Sequence, residues 1–455
     1  MTHRLRRAGG FAAVSTLAVA APALGSAAAV PFAVVAVLAA FVVDDGRLFE
    51  LFARPGDFED GRLNGLAGFA LAATGLGILT AIGGPNTPPL PTTVYAAAVV
   101  TLAYGNLGRE FVRQYTADEF ATTAGFVAAG FVAGTAAQAA TAFVADAFAV
   151  AAVPEYAFLA VVGGLAAALL RSMLFTRDDP LVMVSVGFLL WLLSALTPTA
   201  AASVVAAGLA VAVALGWLSY ALDAASVPGM LTGVLLCVLT VVLGDYGWFA
   251  TLLTFFGVGA LSTKFRYEQK ERRGVAEENE GARGSGNVLG NAAVALFAVV
   301  AYAAAVRFVP SVDVAGVGVP TLLAYAFAGS VAVALADTLS SEIGGLFDEP
   351  RLVTTLERVE PGTDGAVTWQ GEVAGVLGAL LVAVVAVLFM PVDASVGAVA
   401  VVVAAGVVGM TVDSVLGATV EGDTVGNQAV NFSATLSGAL AGIVFGLLAS
   451  LLGAL

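Results

Sequence analysis

Apolar stretches long enough to cross a membrane recur along the whole of this chain of 455 residues. Hydrophobic residues make up 59% of the sequence and charged residues only 11%, whereas soluble domains carry about 25% charged residues. A spanning helix needs roughly 17–25 predominantly apolar residues. These features predict an all-α fold, a polytopic transmembrane helical bundle of about 15 spans (13–15). The predicted spans lie near residues 11–27, 28–43, 64–83, 92–108, 120–145, 156–174, 180–197, 199–221, 229–243, 246–262, 287–308, 320–346, 372–390, 394–417 and 429–453.

The basic residues predict the orientation of this bundle. With the N-terminus in the cytoplasm, every one of the 19 lysines and arginines except Arg307 falls on the cytoplasmic side, as the positive-inside rule requires. We therefore predict a multi-pass protein of the cell membrane with a cytoplasmic N-terminus. The first apolar stretch, preceded by Arg4, Arg6 and Arg7, also resembles a secretory signal peptide. An uncleaved first anchor is favoured, and cleavage stays open.

Residue types that are scarce exclude several kinds of chemistry. Cys237 is the only cysteine and His3 is the only histidine. An internal disulfide, a thiolate metal cluster, a histidine-based triad and a zinc site are therefore excluded. The sequence contains no G-x-x-x-x-G-K-[ST] loop, which excludes a P-loop kinase. Any chemistry must use carboxylates, hydroxyls, amides, backbone groups and a few cations.

Polar content divides the chain into two parts. From residue 120 to about 262 the sequence is mostly Ala, Val and Leu, and from 263 onward charges, amides and glycines become frequent. We predict that residues 1–228 form an N-terminal transmembrane bundle of unknown role. Residues 229–455 are predicted to form a second membrane domain with a polar site at its cytoplasmic face.

The most informative polar cluster lies near the end of the apolar stretch 320–346. An aspartate at the centre of a spanning helix costs roughly 2.5–3.5 kcal/mol on insertion scales. Thr338, Ser341 and Glu342 lie at positions i, i+3 and i+4 on one helix face, and Asp337 lies four residues before Ser341 on an overlapping face. We take Asp337, Ser341 and Glu342 as candidate catalytic residues. Mg²⁺ binds one or two carboxylates together with phosphate oxygens, so Asp337, Glu342 and Asp413 are candidate metal ligands. The alternative, interhelical hydrogen bonding, suits serine and threonine but explains a buried Asp–Glu pair poorly.

A basic, glycine-rich segment follows the stretch 246–262 and carries the candidate ligands for a polyphosphate. These candidates are Lys264, Arg283 and Asn287, because a flexible loop with cations and amides can close on phosphate groups. In the alternative interpretation, the five cations of residues 264–273 set the topology and contact anionic lipid headgroups.

Two further segments fall on the same predicted face. In the turn Pro361-Gly362-Thr363-Asp364-Gly365, a glycine-rich backbone can direct N–H groups at a phosphate, although a plain surface turn fits the sequence equally well. Asn427 and Asn431 lie one helical turn apart on a spanning helix, where amides are costly without a polar partner. The candidates for nucleotide or substrate binding here are Gly362, Thr363, Asp364, Asn427 and Asn431.

Five ordered motifs in residues 230–455 resemble the membrane family that includes phytyl-phosphate kinases and transmembrane-protein-nineteen-like proteins. They are STK with the basic segment after it, ADTLSSEIG (336–344), PRLVTT with PGTDGAVTWQGEVAG (350–375), TVDSVLGAT (411–419) and GNQAVNFSATLSGAL (426–440). The D-x-x-x-S-x-x-G core at 337–344 is also similar to that of polyprenol and phytol kinases that use CTP. The resemblance implies phosphoryl transfer from a nucleoside triphosphate, with CTP favoured, to an isoprenyl monophosphate. It does not cover residues 1–215.

The residues are compatible with this chemistry. Phosphoryl transfer needs positioning and charge neutralisation, and an ionised phosphate acceptor needs no histidine base. The expected partners are a nucleoside triphosphate, a membrane isoprenyl phosphate and membrane lipids, with Mg²⁺ as cofactor and no nucleic acid. A transporter or lipid scramblase is the competing class, and a non-catalytic membrane protein is the third. The sequence leaves open the nucleotide, the isoprenoid length and the oligomeric state.

Overall fold

Every predicted apolar stretch contains a helix in the computed structural model of the protein. The structure describes residues 3–84, 88–174, 179–196, 201–222, 225–276, 284–421 and 425–455. Within these ranges the only β-structure is two antiparallel hairpins of two-residue strands and isolated bridges. The predicted all-α membrane fold is thus confirmed.

The chain divides into two compact units, Met1–Leu209 and Ala210–Leu455. The predicted boundary at 228/229 lies one helix further along the chain and stays a prediction. The first unit contains short 3₁₀ segments and the helices α1 (His3–Ser15), α2 (Ala21–Leu24), α3 (Val30–Phe41), α4 (Gly46–Phe52), α5 (Asp57–Asp60), α6 (Asn64–Leu79), α7 (Thr92–Val112), α8 (Glu119–Val144), α9 (Val153–Met173) and α10 (Asp179–Leu196). Helix α11 (Ala202–Ala221) contains the boundary.

The second unit holds the remaining elements. Its helices are α12 (Val227–Leu243), α13 (Tyr246–Lys264), α14 (Tyr267–Arg272), α15 (Ser285–Phe308), α16 (Val319–Gly344), α17 (Trp369–Phe389), α18 (Val396–Thr419) and α19 (Asn427–Leu451). One hairpin pairs β1 (Asp313–Val314) with β2 (Val317–Gly318), and the other pairs β3 (Arg351–Leu352) with β4 (Ala366–Val367).

The number of spans differs from the number of helices. Among the described residues, ten helices are long and apolar enough to cross a membrane by length and composition. Helices α3, α6 and α12 are apolar but have only 12, 16 and 17 residues. The count of 15 and the side of the N-terminus therefore stay predictions.

Helix α16 is the centre of the second unit. It packs against α13, α15, α17, α18 and α19, and no residue from Val319 to Ser340 is exposed. Small residues allow the neighbours to approach this closely. A Cβ added to Gly329 of α16 would lie 2.5 Å from the carbonyl oxygen of Gly438 in α19. The polar end of α16, from Asp337 to Gly344, is thus fixed within a packed group of helices.

A buried ion-pair network lies in the first unit, around Asp179 at the N-terminus of α10. The Asp179 carboxylate accepts hydrogen bonds from Arg54 Nη2 at 2.9 Å and from Arg171 Nη1. The Asp179 side chain is 7% exposed and that of Arg171 is 9% exposed. The positive end of α10 also favours a carboxylate at this position.

Replacing Asp179 with asparagine is expected to lower the free energy of unfolding of the first unit by about 3–5 kcal/mol, because two guanidinium groups lose their counter-charge. Thermal unfolding of the purified protein measures the loss. Asp44→Asn, on an exposed loop of the same unit, is the control and should leave the midpoint unchanged. Equal midpoints for Asp179→Asn and the wild-type protein would show that the network does not stabilise this unit.

Candidate functional site

A polar cavity of about 490 Å³ lies in the second unit, at the C-terminal end of α16. Its walls come from the ends of α15, α16, α18 and α19, the segment 274–276 and the β3–β4 hairpin. The predicted site residues that line it are Asn287, Asp337, Ser341, Glu342, Gly362, Thr363, Asp364, Asp413, Asn427 and Asn431. The structure thus brings together segments that are up to 144 residues apart, from Asn287 to Asn431.

Two predicted phosphate ligands are not among these residues. Lys264 does not line the cavity, and its Nζ donates a hydrogen bond to the carbonyl oxygen of Leu222 at 2.8 Å. The structure thus does not bring Lys264 to this cavity, and its role in nucleotide binding stays a prediction. Arg283 lies outside the described residues.

The carboxyl groups of Asp337 and Asp413 lie close enough to share a hydrogen bond. Asp413 Oδ2 is buried and has no hydrogen-bond partner among the described residues. Two carboxylates at this separation repel each other unless a proton or a cation lies between them. The pair therefore offers oxygen ligands to a cation in a place where a cation would remove an electrostatic cost.

Glu342, the third predicted metal ligand, forms an ion pair with a lysine and is not part of the Asp337–Asp413 pair. Its Oε2 accepts a hydrogen bond from the buried Nζ of Lys270, a residue that the sequence analysis did not single out. No group of three carboxylate, imidazole or thiolate side chains in the described ranges is placed to hold one metal ion. The three-carboxylate set of Asp337, Glu342 and Asp413 is thus not assembled, and the Asp337–Asp413 pair is what the structure provides.

Amide side chains from α15 and α19 form a further wall of the cavity. Asn431 is 6% exposed, and its amide makes no hydrogen bond with the described part of the chain. The Oδ1 atom of Asn287 is buried and has no partner within the described ranges, and Asn291 Nδ2 donates to the Asn287 carbonyl oxygen at 3.0 Å. Asn291 was not identified from the sequence either, although its position four residues after Asn287 places both residues on one helix face. Buried amide groups need hydrogen-bond partners, so this wall suits a polar ligand or water.

Two helices begin at this wall with glycine as the N-cap residue. Gly284 precedes α15 and Gly426 precedes α19, and no side chain in the described ranges caps either N-terminus. The first N–H groups of a helix have no partner within the helix, and this end carries a partial positive charge. Uncapped N-termini beside a cavity can bind an anion such as phosphate.

Two of the hydroxyl groups at the end of α16, those of Thr338 and Ser341, point their hydrogens back into the helix, whereas Ser340 Oγ donates to Glu372 Oε1 on α17 at 3.4 Å. Ser341 Oγ donates to the carbonyl oxygens of Asp337 and Thr338 at 3.1 and 3.2 Å, and Thr338 Oγ1 donates to Ala334 at 2.8 Å. Their lone pairs are therefore the part that can face a ligand, as acceptors for a cation or for water.

The β3–β4 hairpin closes another side of the cavity with the predicted turn at 361–365. Gly362 and Gly365 have φ of +86° and +71°, values that glycine adopts without strain. A Cβ on Gly365 would lie 2.3 Å from the backbone nitrogen of Ala418, so the turn packs directly against α18. Beyond α18, burial and then the nearby Asp364 carboxylate raise the pKa of Glu421 above its ordinary value. The carboxylates around this turn thus strengthen the negative potential of the cavity.

Comparison with known proteins is consistent with this division of the chain. The model of the integral membrane protein family DUF92 matches residues 210–439, which include every described residue that lines the cavity. No solved structure matches the chain.

Three relatives illustrate how far the similarity extends. Protein VTE6, chloroplastic, of Arabidopsis thaliana is 32% identical over 136 residues, 30% of this chain and 38% of the relative. An uncharacterized membrane protein of Methanocaldococcus jannaschii is 37% identical over 175 residues, 37% of this chain and 63% of the relative. Protein PGR of Arabidopsis thaliana is 31% identical over 183 residues, 38% of this chain and 64% of the relative.

The chain thus spans less than two thirds of the length of each of these curated relatives. The family match nevertheless covers half of the chain and the whole described cavity. This chain belongs to the DUF92 family of integral membrane proteins.

Proposed function

We propose that this protein is an integral membrane phosphotransferase that converts an isoprenyl monophosphate into the diphosphate. A nucleoside triphosphate, with CTP favoured, is the phosphoryl donor. The observation that carries the proposal is one cavity lined both by a close carboxylate pair, Asp337 and Asp413, and by the first turns of α15 and α19, whose N-termini have no side-chain cap among the described residues. Such a cavity can bind a cation and phosphate groups side by side. The family resemblance of the motifs supports the same reaction.

The carboxylate pair fits Mg²⁺. This ion is bound in phosphoryl-transfer sites by one or two carboxylates, while substrate phosphates and water supply its other ligands. Asp337 and Asp413 would hold it, and Asp413 Oδ2 is a buried oxygen without a partner in the part of the chain that the structure describes. When bound, the ion would neutralise charge on the transferring phosphoryl group.

The amide wall would hold the phosphates on the other side. Asn287, Asn427 and Asn431 provide uncharged N–H donors, and the first turns of α15 and α19 add backbone N–H groups. The described lining residues include no lysine or arginine. Because its only charged groups are carboxylates, the cavity would bind phosphate best when a cation is present.

In the proposed reaction, an oxygen of the prenyl monophosphate attacks the γ-phosphorus of the triphosphate. A new O–P bond forms, the bond from the γ-phosphorus to the β–γ bridging oxygen breaks, and the nucleoside diphosphate leaves. The acceptor oxygen is already ionised near neutral pH, so no general base is required. The protein's contribution is to place the two phosphates in line.

The position of the cavity suits a lipid substrate. It lies at the end of α16, a helix long enough to span the bilayer, so the phosphate can reach the polar face while the isoprenoid chain stays in the membrane. From the distribution of basic residues, we infer that this face is cytoplasmic, where nucleotides are available.

The direct test uses the full chain, purified and reconstituted into nanodiscs. It is incubated with Mg²⁺, geranylgeranyl or phytyl monophosphate, and one γ-labelled nucleotide at a time from CTP, ATP, GTP and UTP. We expect label in the prenyl diphosphate, with CTP as the best donor. When the unphosphorylated alcohol replaces the monophosphate as the acceptor, we expect no labelled product. If none of the four nucleotides labels either monophosphate, the proposed function is wrong.

A cation transporter is the second candidate, because the charged groups in the described cavity lining are all acidic. Carboxylates in this setting are also typical of ion pathways. Proteoliposome flux measurements distinguish the two functions. A flux that Asp337→Asn abolishes, in a protein without phosphotransfer, would favour transport.

A further inference from the structure

The chain has two lysines, Lys264 and Lys270, and they have different environments. Lys264 is exposed and bonds to Leu222. Lys270, on the short helix α14, is 1% exposed. Its Nζ donates to the carbonyl oxygens of Ser262 and Thr263 at 3.0 and 2.5 Å and to Oε2 of Glu342.

These three contacts use the full donor capacity of an ammonium group, which has three N–H bonds. Lys270 therefore has no donor left for a phosphate. Two of its acceptors belong to the last turn of α13, where the carbonyl oxygens lack partners within the helix. The third belongs to the last turn of α16. One side chain thus connects the ends of α13, α14 and α16.

The pair with Lys270 also determines how Glu342 meets the cavity. Glu342 is 7% exposed and lines the cavity. Oε2 is engaged by Lys270, and no hydrogen bond to Oε1 is found in the described ranges. The carboxylate is thus held by one oxygen, which leaves the other as an acceptor for a ligand or its water.

The backbone of Lys270 supports a cavity wall as well. Its carbonyl oxygen accepts a hydrogen bond from the Val275 nitrogen at 3.1 Å. Val275 packs between Gly345 and Gly362, since a Cβ on either glycine would lie 3.2 or 3.4 Å from its methyl groups. Residues 274–276 line the cavity. The backbone of Lys270 therefore helps to fix the position of this wall.

We infer that Lys270 is a positioning residue of the site, which orients Glu342 and holds the wall 274–276 against α16 and the 361–365 turn. It acts through these groups and does not bind the nucleotide. The kinetic part of this inference rests on the proposed phosphotransfer, whereas the structural part does not.

The geometry also explains why this position holds lysine in a chain whose other cations, apart from Lys264, are all arginines. Three acceptors converge on one nitrogen, which suits a compact ammonium. A planar guanidinium spreads its donors over a fixed fork. Even the conservative variant Lys270→Arg is therefore expected to differ from the wild-type protein in labelling rate and in kcat.

The first experiment measures the wall directly and needs no enzymatic activity. Ala276→Cys is labelled with a water-soluble maleimide in four backgrounds: wild type, Lys270→Met, Lys270→Met with Glu342→Gln, and Lys264→Met as the matched control. The native Cys237 is 1% exposed and should contribute little label. We expect a roughly tenfold faster rate in both Lys270 variants, because local opening becomes more frequent, and no change with Lys264→Met.

The double variant keeps this experiment decisive if Lys270→Met alone does not fold. Removing one partner leaves a buried uncompensated charge, whereas removing both charges avoids that cost. Wild-type labelling rates in the double variant would overturn the structural part of the inference, whether or not the protein transfers phosphate.

The second experiment measures kinetics in the phosphotransfer assay. Lys270→Met and Glu342→Gln are each expected to lower kcat by 10-fold or more, with the nucleotide KM changed less than twofold. The kcat of the double variant should be no lower than that of the worse single variant, since either change removes the same interaction. Additive losses together with a raised nucleotide KM would show that Lys270 contacts the nucleotide and would overturn the inference. If the wild-type protein is inactive, the proposed function fails while the labelling result still decides the role of Lys270.

Discussion

Replacing Asp337 with asparagine is expected to reduce phosphate transfer on the order of 10³-fold, which corresponds to about 4 kcal/mol of transition-state stabilisation. The change keeps the shape of the side chain and removes one of the two carboxylates proposed to hold Mg²⁺. Folding should be unchanged or slightly improved, because Asp337 and Asp413 repel each other when both are ionised. Initial rates measure the first effect, and the thermal unfolding midpoint measures the second.

The control for this variant is Asp313→Asn, in the exposed strand β1, which should keep wild-type rates. Mg²⁺ titration adds a second readout, since the Asp337 variant should need a higher Mg²⁺ concentration for half-maximal activity. A variant that keeps more than half of the activity would remove Asp337 from the site.

Gly438→Leu is expected to destabilise the second unit by about 4 kcal/mol or more, the range of severe core disruption. A Cβ at this position of α19 would lie 2.2 Å from a methyl group of Val333 and 3.0 Å from the carbonyl oxygen of Gly329. Backbone atoms on a central helix cannot move aside, so α16 and α19 must separate. The protein should lose its monodisperse peak in size-exclusion chromatography and its cooperative unfolding transition.

Gly257→Leu is the matched control in the same unit. Nothing lies within 4 Å of a Cβ at Gly257 on α13, so leucine there should leave both measurements unchanged. A monodisperse Gly438→Leu protein with a wild-type unfolding midpoint would show that α16 and α19 are not packed as closely as described.

The helices and most of the site could be predicted from the sequence, because both depend on local patterns. Long apolar stretches give helices wherever backbone groups must be satisfied within the segment. Asp337 was identifiable because a carboxylate in such a stretch is costly. Asn427 and Asn431 were identifiable for the same reason.

The choice between the two lysines could not be predicted, because it depends on how the chain turns after α13. Arg266 adopts a left-handed conformation with φ of +51°, which directs α14 back beneath the end of α13. This reversal brings Lys270, and not Lys264, to Glu342. Sequence spacing contains no signal for a left-handed arginine, so the two lysines were indistinguishable.

The number of spans was not predictable for a different reason. Apolar composition locates a helix, but helices of 12 to 17 residues such as α3 and α12 are too short to decide between crossing and partial insertion. If two such helices do not cross the membrane, the number of spans falls by two, but the loops elsewhere in the chain keep their predicted sides.

The buried position of α16 determines how strongly the lipid bilayer can affect the candidate site. Lipid thickness and lateral pressure act on helices that contact acyl chains, which adapt by tilting. Since no residue of α16 from Val319 to Ser340 is exposed, such forces would reach Asp337 only after passing through the surrounding helices. The proposed phosphate transfer at the end of this helix would therefore be insulated from the mechanical state of the bilayer, and its rate should vary little between short-chain and long-chain phospholipids.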